Sequence, residues 1–262
     1  MHLRFALASI GTVVCGLVAS TPAFAETLDD AAERYRPLMA ADIDQSLAGA
    51  QKLNERISAK DVAGAQQAWI DARVGWERAE VFTAGFVSEL DELIDAWPNA
   101  QTGFHAIEAN LFGAKSTAVS EEVKSLIFHL SDLDVKVHYT PFNAQGLLNG
   151  TARLAYEVGE SKSDGGESRF SGTSLDDMRN NVAGIALAYK TVFAEAVRAS
   201  DANLADQIQA KIDDMGTLVA VRELKSLDTD VLRTKSEDLV IALQTAAPKI
   251  GLRAPTLEDL TQ

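Results

Sequence analysis

Residues 61–82 read DVAGAQQAWIDARVGWERAEVF, and their spacing decides the fold. Asp61 is a typical helix N-cap residue, and the apolar residues that follow it recur every three or four positions. These apolar residues are Ala65, Ala68, Trp69, Ala72, Trp76 and Phe82. The stretch therefore predicts a long amphipathic helix with two tryptophans on its buried face.

The same helical spacing continues on both sides of this helix, whereas the alternation typical of strands is rare. A first helix is predicted from Thr27 or Asp29 to about Ile57. Further helices are predicted to begin near Thr102, Ser120, Ala144 and Ser174, and to cover about 202–226 and 234–247. Trp97-Pro98-Asn99 predicts a break, and SKSDGGESRFSGT at 161–173 predicts a long loop.

Short connections between long helices favour antiparallel packing. The predicted fold is all-α, with two packed antiparallel four-helix bundles. We expect the two halves to cover roughly residues 26–140 and 141–262. No sharp linker separates them in the sequence, so the halves are expected to share an interface.

The first 25 residues have the pattern of a secretory signal. Arg4 precedes a mostly apolar run over 5–18, and Ala23 and Ala25 supply the small residues of a cleavage site. We predict cleavage after Ala25 and a periplasmic location. The one cysteine, Cys15, lies inside this segment, so the predicted mature chain has neither a thiolate metal ligand nor a cysteine nucleophile.

The charge balance limits the partners of the chain. There are 38 acidic and 24 basic residues, which give a formal net charge of −14. An acidic surface repels nucleic acid and attracts cations. No second long apolar segment follows residue 25, so we expect a protein that is not embedded in the membrane.

Residues 101–113, QTGFHAIEANLFG, contain a candidate metal site. If Thr102 begins a helix, His105 and Glu108 project from the same face, three residues apart. The positive end of the helix dipole then disfavours protonation of His105. A neutral imidazole is the form that binds a metal ion.

A second acidic pair precedes this motif, because Glu77 and Glu80 have the same spacing on the predicted second helix. Asp95 follows just before the break, and Asp91 is a less favoured alternative. A helical hairpin would bring these carboxylates to His105 and Glu108. Carboxylates with one imidazole are typical ligands of iron and manganese in helical bundles, and they also suit zinc.

A plainer interpretation stands beside this one. A histidine and a glutamate three residues apart on a helix are often a solvated ion pair. Glu77 lies four residues after Arg73, which would neutralise it, and Glu80 could face solvent. Spacing alone does not decide between a metal site and surface pairs.

The six residues Gly103-Phe-His-Ala-Ile-Glu108 match the G-x-H-x-x-E motif of the imelysin-like family, which the chain resembles over nearly its whole predicted mature length. The segments WIDARVGWERAEVF, LDELIDAW and SLDDMRNNVAGIALAY resemble family segments in the same order. The resemblance implies a metal site with His105 and Glu108, joined by Glu80, Glu77 and Asp95. It also implies the short form of the family, without a preceding cupredoxin-like domain.

Three functions follow from these observations. The first, implied by the resemblance, is a periplasmic protein that captures iron and works with an iron permease and a haem peroxidase. The second is a zinc peptidase, although the H-E-x-x-H motif of many zinc proteases is not in the sequence. The third is a polysaccharide-binding protein that uses Arg153, Arg169 and Arg179 as a local basic patch. We expect the first, with no catalytic activity and a metal cation, iron foremost, as the ligand.

Overall fold

The computed structural model describes residues 27–97 and 101–261, and these are almost entirely helical. The predicted signal segment, its cleavage site and Pro98 lie outside the described residues. The main helices are α1 Leu28–Ser58, α2 Val62–Phe86, α3 Ser88–Ile94, α4 Gly103–Glu108, α5 Ser120–Tyr139, α6 Ala144–Glu160, α7 Ser174–Ala188, α8 Ala194–Ser200, α9 Ala202–Val219, α10 Thr229–Ala246 and α11 Leu257–Thr261. The described ranges contain no strand, so the predicted all-α class is confirmed.

Side-chain caps fix where several of these helices begin. Thr27 and Asp30 form a reciprocal capping box at the start of α1. The side chain of Asp61 accepts a hydrogen bond from the backbone N–H of Gly64 at the start of α2. Asp201 and Asp228 cap α9 and α10 in the same way. The Asp61 cap confirms the starting point that the sequence predicted for the central helix.

Helix α2 lies between the two bundles. It packs on α1, which also packs on α5, and the short helices α3 and α4 fill the remaining side of this first bundle. The helices α6, α7, α9 and α10 form the second bundle, and α2 also packs against α6 and α7. The buried face of α2 therefore belongs to both bundles, and this face carries the charged residues described below.

Three details differ from the predicted elements. Helix α2 ends at Phe86, because the next residue, Val87, has an extended φ of −146°. A separate short helix, α3, follows it. The predicted helices at 202–226 and 234–247 are observed as α9, which ends at Val219, and α10, which begins at Thr229 under the Asp228 cap. Single π-helical turns, Ala109–Gly113 and Tyr189–Phe193, extend α4 and α7.

None of the helices in the described ranges has both the length and the apolar content that a bilayer span requires.

Candidate metal centre

Gly103 sets the position of the G-x-H-x-x-E segment. Its φ of +67° is in the left-handed region, where glycine has no steric penalty. A Cβ atom at this position would lie 2.0 Å from the carbonyl oxygen of Ile94. The glycine thus lets the start of α4 lie directly against the end of α3, which brings His105 next to Asp95.

The imidazole of His105 is buried among three carboxylates, with 1% of the residue exposed. Its Nε2 lies 3.2 Å from Asp95 Oδ1 and 3.5 Å from Glu167 Oε1. Its Nδ1 lies 3.5 Å from Glu108 Oε2. Despite these short distances, Nε2 makes no hydrogen bond within the described residues. A buried nitrogen that faces two carboxylate oxygens without a hydrogen bond is a natural position for a cation.

The spacing of these atoms suits one metal ion. The ligand atoms of Asp95, His105 and Glu167 all lie within 4.8 Å of one another. Ligands about 2.1 Å from one ion are about 3.0 Å apart in octahedral geometry and about 3.4 Å apart in tetrahedral geometry. The distances from Nε2, 3.2 and 3.5 Å, are close to these values. One nitrogen and two carboxylate oxygens form a ligand set that suits iron, manganese or zinc.

Glu108 is held on the other side of the imidazole by the loop over 161–173. Its Oε1 accepts hydrogen bonds from the backbone N–H groups of Phe170 and Ser171, at 3.0 and 2.8 Å. The hydroxyl of Ser171 donates a third, at 2.7 Å. Glu108 therefore faces Nδ1 and leaves Nε2 directed at Asp95 and Glu167, an arrangement that fixes the orientation of metal-binding histidines.

The other predicted pair, Glu77 and Glu80, surrounds an ammonium group. Lys162 Nζ lies 3.0 Å from Glu77 Oε2 and 3.2 Å from both carboxylate oxygens of Glu80. It also lies 3.5 Å from Glu167 Oε1. The side-chain amide of Asn181 donates to Glu77 and Glu80, at 2.8 and 2.5 Å. The two glutamates are thus buried and ion-paired, and neither is a solvated surface residue.

Arg73 is a second cationic side chain of this buried cluster, beside Lys162. Its guanidinium bonds to Glu77, to Asp95 at 2.5 Å and to Asp177 at 3.3 Å. Asp95 also accepts a hydrogen bond from the indole of Trp76, at 2.8 Å. The neutralisation of Glu77 by Arg73 that the sequence offers as an alternative is therefore present, but it occurs inside the core and beside the histidine.

The pKa of His105 is shifted in a different direction from the one that the helix dipole alone predicts. Burial lowers the pKa of His105, but the charge of Asp95 and the carboxylates of Glu108 and Glu167 outweigh it and raise the pKa to about 11. Burial raises the pKa of Asp95, yet Arg73 and His105 hold it well below its usual range. In the absence of a metal ion the carboxylates thus shift the pKa of the imidazole in the direction opposite to the helix dipole, because they lie next to the ring.

The cluster opens to solvent through a cavity of about 490 Å³. The buried residues Asp95, Glu167, Lys162 and Glu80 are part of its lining. Trp97 also lines it and is 37% exposed, with its ring 5.5 Å from that of His105. An ion between Asp95 and Glu167 would therefore be reachable from the outside, as a site that takes up and releases its ion requires.

The structure brings all five residues proposed from sequence into one buried cluster but places them differently. Asp95 and His105 lie together with Glu167, Glu108 lies behind the imidazole, and Glu77 and Glu80 surround Lys162. Sequence reasoning did not single out Glu167 or Lys162. Both lie in the polar loop over 161–173, which has no helical spacing that would mark a residue as buried.

The three arginines of the polysaccharide alternative have separate surroundings. Arg153 bonds to Asp91 and Glu157, at 2.9 and 2.7 Å, inside the cavity wall. Arg179 donates to the carbonyl oxygens at the end of α9 and just beyond it. The guanidinium of Arg169 lies over the ring of Phe170. Each guanidinium thus has its own local contacts.

Curated relatives of the chain have names linked to iron uptake. Iron uptake system component EfeO of Escherichia coli is 28% identical over 251 residues, which cover 90% of this chain and 63% of that protein. An EfeM/EfeO family lipoprotein of Staphylococcus haemolyticus is 27% identical over 206 residues, or 74% of this chain and 70% of the relative. The chain thus spans less than two thirds of the length of EfeO.

A solved structure and a family model agree with this likeness. An iron-regulated protein A precursor from Parabacteroides distasonis shares the fold with a TM-score of 0.65 and 17% identity, over 85% of this chain and 95% of that one. The sequence model described as Imelysin matches residues 31–102 and 99–249. These matches include α2, the G-x-H-x-x-E segment and the loop that carries Glu167. The chain is a member of the imelysin family.

Proposed function

We propose that this protein is a periplasmic carrier that captures an iron ion for uptake into the cell. The observation that carries the proposal is the buried Nε2 of His105, which faces Asp95 and Glu167 without a hydrogen bond. The names of the relatives EfeO and EfeM, both iron uptake system components, support iron as the ion. The same donor set would also accept zinc.

In this proposal Asp95, His105 and Glu167 hold the ion, and Glu108 orients the imidazole from its Nδ1 side. One lone-pair direction of Asp95 Oδ1 already serves Arg73, and a carboxylate oxygen can accept a second partner. Asp95 and Glu167 line the cavity, so water or a transfer partner there could complete the coordination of a bound ion. Such an open site suits a carrier that must release its ion.

The ion exchanges with a proton. The carboxylates around His105 raise its pKa to about 11, so the metal-free cluster holds an imidazolium at neutral pH. An incoming Fe²⁺ takes the position of that proton, which leaves to solvent, so the net charge of the cluster rises by one unit. Binding is therefore accompanied by proton release, as for other sites with histidine ligands.

The resemblance to the imelysin family also supplies the proposed partners. An iron permease would receive the ion, and a haem peroxidase of the same uptake system would act with it. The role assigned to this chain is binding and transfer, without catalysis. The carboxylates Glu77 and Glu80 would reach the ion only if Lys162 gave up its contacts with them.

The test compares a variant of the buried histidine with a variant of an exposed one. His105→Ala removes the buried imidazole, and His138→Ala removes an exposed imidazole that lies 3.4 Å from Asp134 one turn earlier on α5. Fe²⁺ under anaerobic conditions would be titrated into each by calorimetry, and bound metal counted by mass spectrometry. We expect one ion per wild-type chain, no change in His138→Ala, and affinity about a hundredfold lower or worse in His105→Ala, because loss of an outer partner alone costs about 10–100-fold.

Glu167→Gln provides the second arm, because Glu167 lies in the loop and outside the sequence motif. Its affinity should fall while the far-ultraviolet circular dichroism stays at the wild-type level. Unchanged iron binding in both His105→Ala and Glu167→Gln would overturn the assigned site.

A further inference from the structure

The buried cluster contains two cationic side chains and one imidazole, joined by shared carboxylates. Glu77 lies between Arg73 and Lys162, and Glu167 lies between Lys162 and His105. Glu167 thus connects two neighbouring positions, as carboxylates do between the two ions of a dinuclear metal site. At the His105 position Nε2 faces Asp95 and Glu167 without a hydrogen bond in the described residues, so a metal ion can enter there. At the Lys162 position the cation belongs to a side chain and stays.

The surroundings of Lys162 Nζ are those of a bound cation. Both oxygens of Glu80 and one each of Glu77 and Glu167 lie between 3.0 and 3.5 Å from it, and only 3% of the residue is exposed. Three carboxylates around one small volume are a ligand set that hard divalent cations prefer. Asn181 keeps Glu77 and Glu80 in place through its amide hydrogens, and its own side-chain oxygen is buried without a hydrogen bond in the described residues.

Access from solvent is available at the same place. Glu80, Lys162 and Glu167 line the cavity that opens beside Trp97. A divalent cation that enters this cavity therefore meets both positions, the one at His105 and the one at Lys162. Only the first is free of a permanent positive charge.

We propose that Lys162 makes this a one-ion site: its ammonium fills the second cation position between Glu77, Glu80 and Glu167 and keeps a second divalent ion out. This inference rests on the proposed metal-binding function and concerns how many ions the site takes. Removal of the ammonium opens a second position, bridged to the first by Glu167. Lys162 thus determines stoichiometry and does not act as a ligand.

The experiment counts Mn²⁺ ions in wild type and in Lys162→Ala, with Lys162→Arg as the variant that keeps the charge. Lys124→Ala, a surface lysine paired with Glu121 on α5, is the matched control. Bound Mn²⁺ would be counted by equilibrium dialysis and mass spectrometry, and electron paramagnetic resonance would report coupling between ions. We expect one ion in wild type, Lys162→Arg and Lys124→Ala, and two in Lys162→Ala. The spectrum of Lys162→Ala should lose the isolated-ion pattern, because Glu167 bridges the pair.

Each result has a defined consequence. One ion in folded Lys162→Ala would overturn the inference and leave the metal site of wild type intact. Failure of wild type to bind either Mn²⁺ or Fe²⁺ would instead contradict the proposed function. Lys162→Ala that folds only when Mn²⁺ is added, and then holds two ions, would support the inference.

A charge-compensated variant covers the case in which Lys162→Ala does not fold even with Mn²⁺. Glu80→Gln/Lys162→Ala removes one carboxylate together with the ammonium and keeps an oxygen at position 80. We expect two ions in this variant, with the second bound more weakly than the first. One ion in the folded double variant would overturn the inference.

Discussion

Two regions on the buried side of α2 are built from opposite kinds of residue. Over Arg73 to Glu80 the helix inserts charged groups between the two bundles. Just after Glu80, Phe82 and Phe86 stack on each other and on Phe142, with ring centroids 5.3–5.4 Å apart. We call these regions the ion cluster and the aromatic stack. Both are packed inside the same protein and on the same helix.

The difference shows what each region contributes. Burial of aromatic rings stabilises a fold directly, and ring pairs add about 0.5–1.5 kcal/mol each. Burial of charges carries a desolvation cost that ion pairing offsets only in part, and apolar replacements of whole buried ion pairs are often neutral or stabilising. The aromatic stack therefore contributes directly to stability, whereas the ion cluster is explained by the proposed metal-binding function.

The largest expected effect comes from breaking the ion cluster at Arg73. Arg73→Met leaves Glu77, Asp95 and Asp177 without their shared cation, and removal of one partner of a buried ion pair typically costs about 3–5 kcal/mol. Urea denaturation of the metal-free protein in chelator should show a loss of this size. The same measurement on the metal-loaded protein reports whether the ion replaces part of the lost charge.

Arg78→Met is the matched control, five residues further along the same helix. Arg78 is 30% exposed and lies 3.1 Å from Asp42, so its removal should cost no more than about 1 kcal/mol. Equal losses of unfolding free energy in Arg73→Met and Arg78→Met would show that the buried ion cluster contributes no more to stability than a partly exposed ion pair.

A smaller effect is expected in the aromatic stack, and it should leave metal binding alone. Phe82→Leu keeps an apolar side chain but removes two ring pairs, so we expect a loss of about 1–3 kcal/mol in the free energy of unfolding. Phe128→Leu, at a ring that is 69% exposed on α5, should be close to neutral. An Fe²⁺ affinity of Phe82→Leu that falls along with its stability would contradict the separation of the two regions.

The two regions also differ in how far the sequence could predict them. Helical periodicity and N-caps were enough for the all-α class and for the buried apolar face of α2, because both depend on residues close together in the chain. The motif placed His105 on a helix start beside acidic residues for the same reason. The end of α2 before Val87 and the start of α10 at the Asp228 cap have weaker signals in the sequence. The first of these bounds is not predicted, and the second is predicted too late in the chain.

The missing parts of the ion cluster depend on contacts between distant residues. Lys162 lies 82 and 85 residues from the glutamates it contacts, and its loop has no periodicity that would mark it as buried. Glu167 reaches His105 only because this loop folds back over α4, where the backbone N–H groups of residues 170 and 171 bind Glu108. The raised pKa of His105 could not be predicted either, because it depends on those same carboxylates.

A third effect is a change in pH dependence at Asp91, which lies one turn before Asp95 and contacts Thr83, the residue after Phe82. Its carboxylate accepts hydrogen bonds from Thr83 and Arg153. Burial, together with the charge of Glu157, raises the pKa of Asp91 to about 7 in spite of Arg153. The folded protein thus holds a proton here that the unfolded chain, with a pKa of about 3.9, has lost.

The sign of the stability effect follows from that difference. The contribution of Asp91 is fully present below about pH 4 and is lost as the pH rises through 7, with a slope of at most about 1.4 kcal/mol per pH unit. Asp91→Asn cannot titrate, so between pH 5 and 7 its metal-free form should lose less stability than wild type. Asp259→Asn is the control: Arg253 lowers the pKa of Asp259, so its titration lies below this window and the variant should run parallel to wild type. Parallel curves for Asp91→Asn and wild type would mean that Asp91 is ionised throughout this pH range. The ion cluster would then include a further ionised carboxylate, beside Thr83 and the aromatic stack.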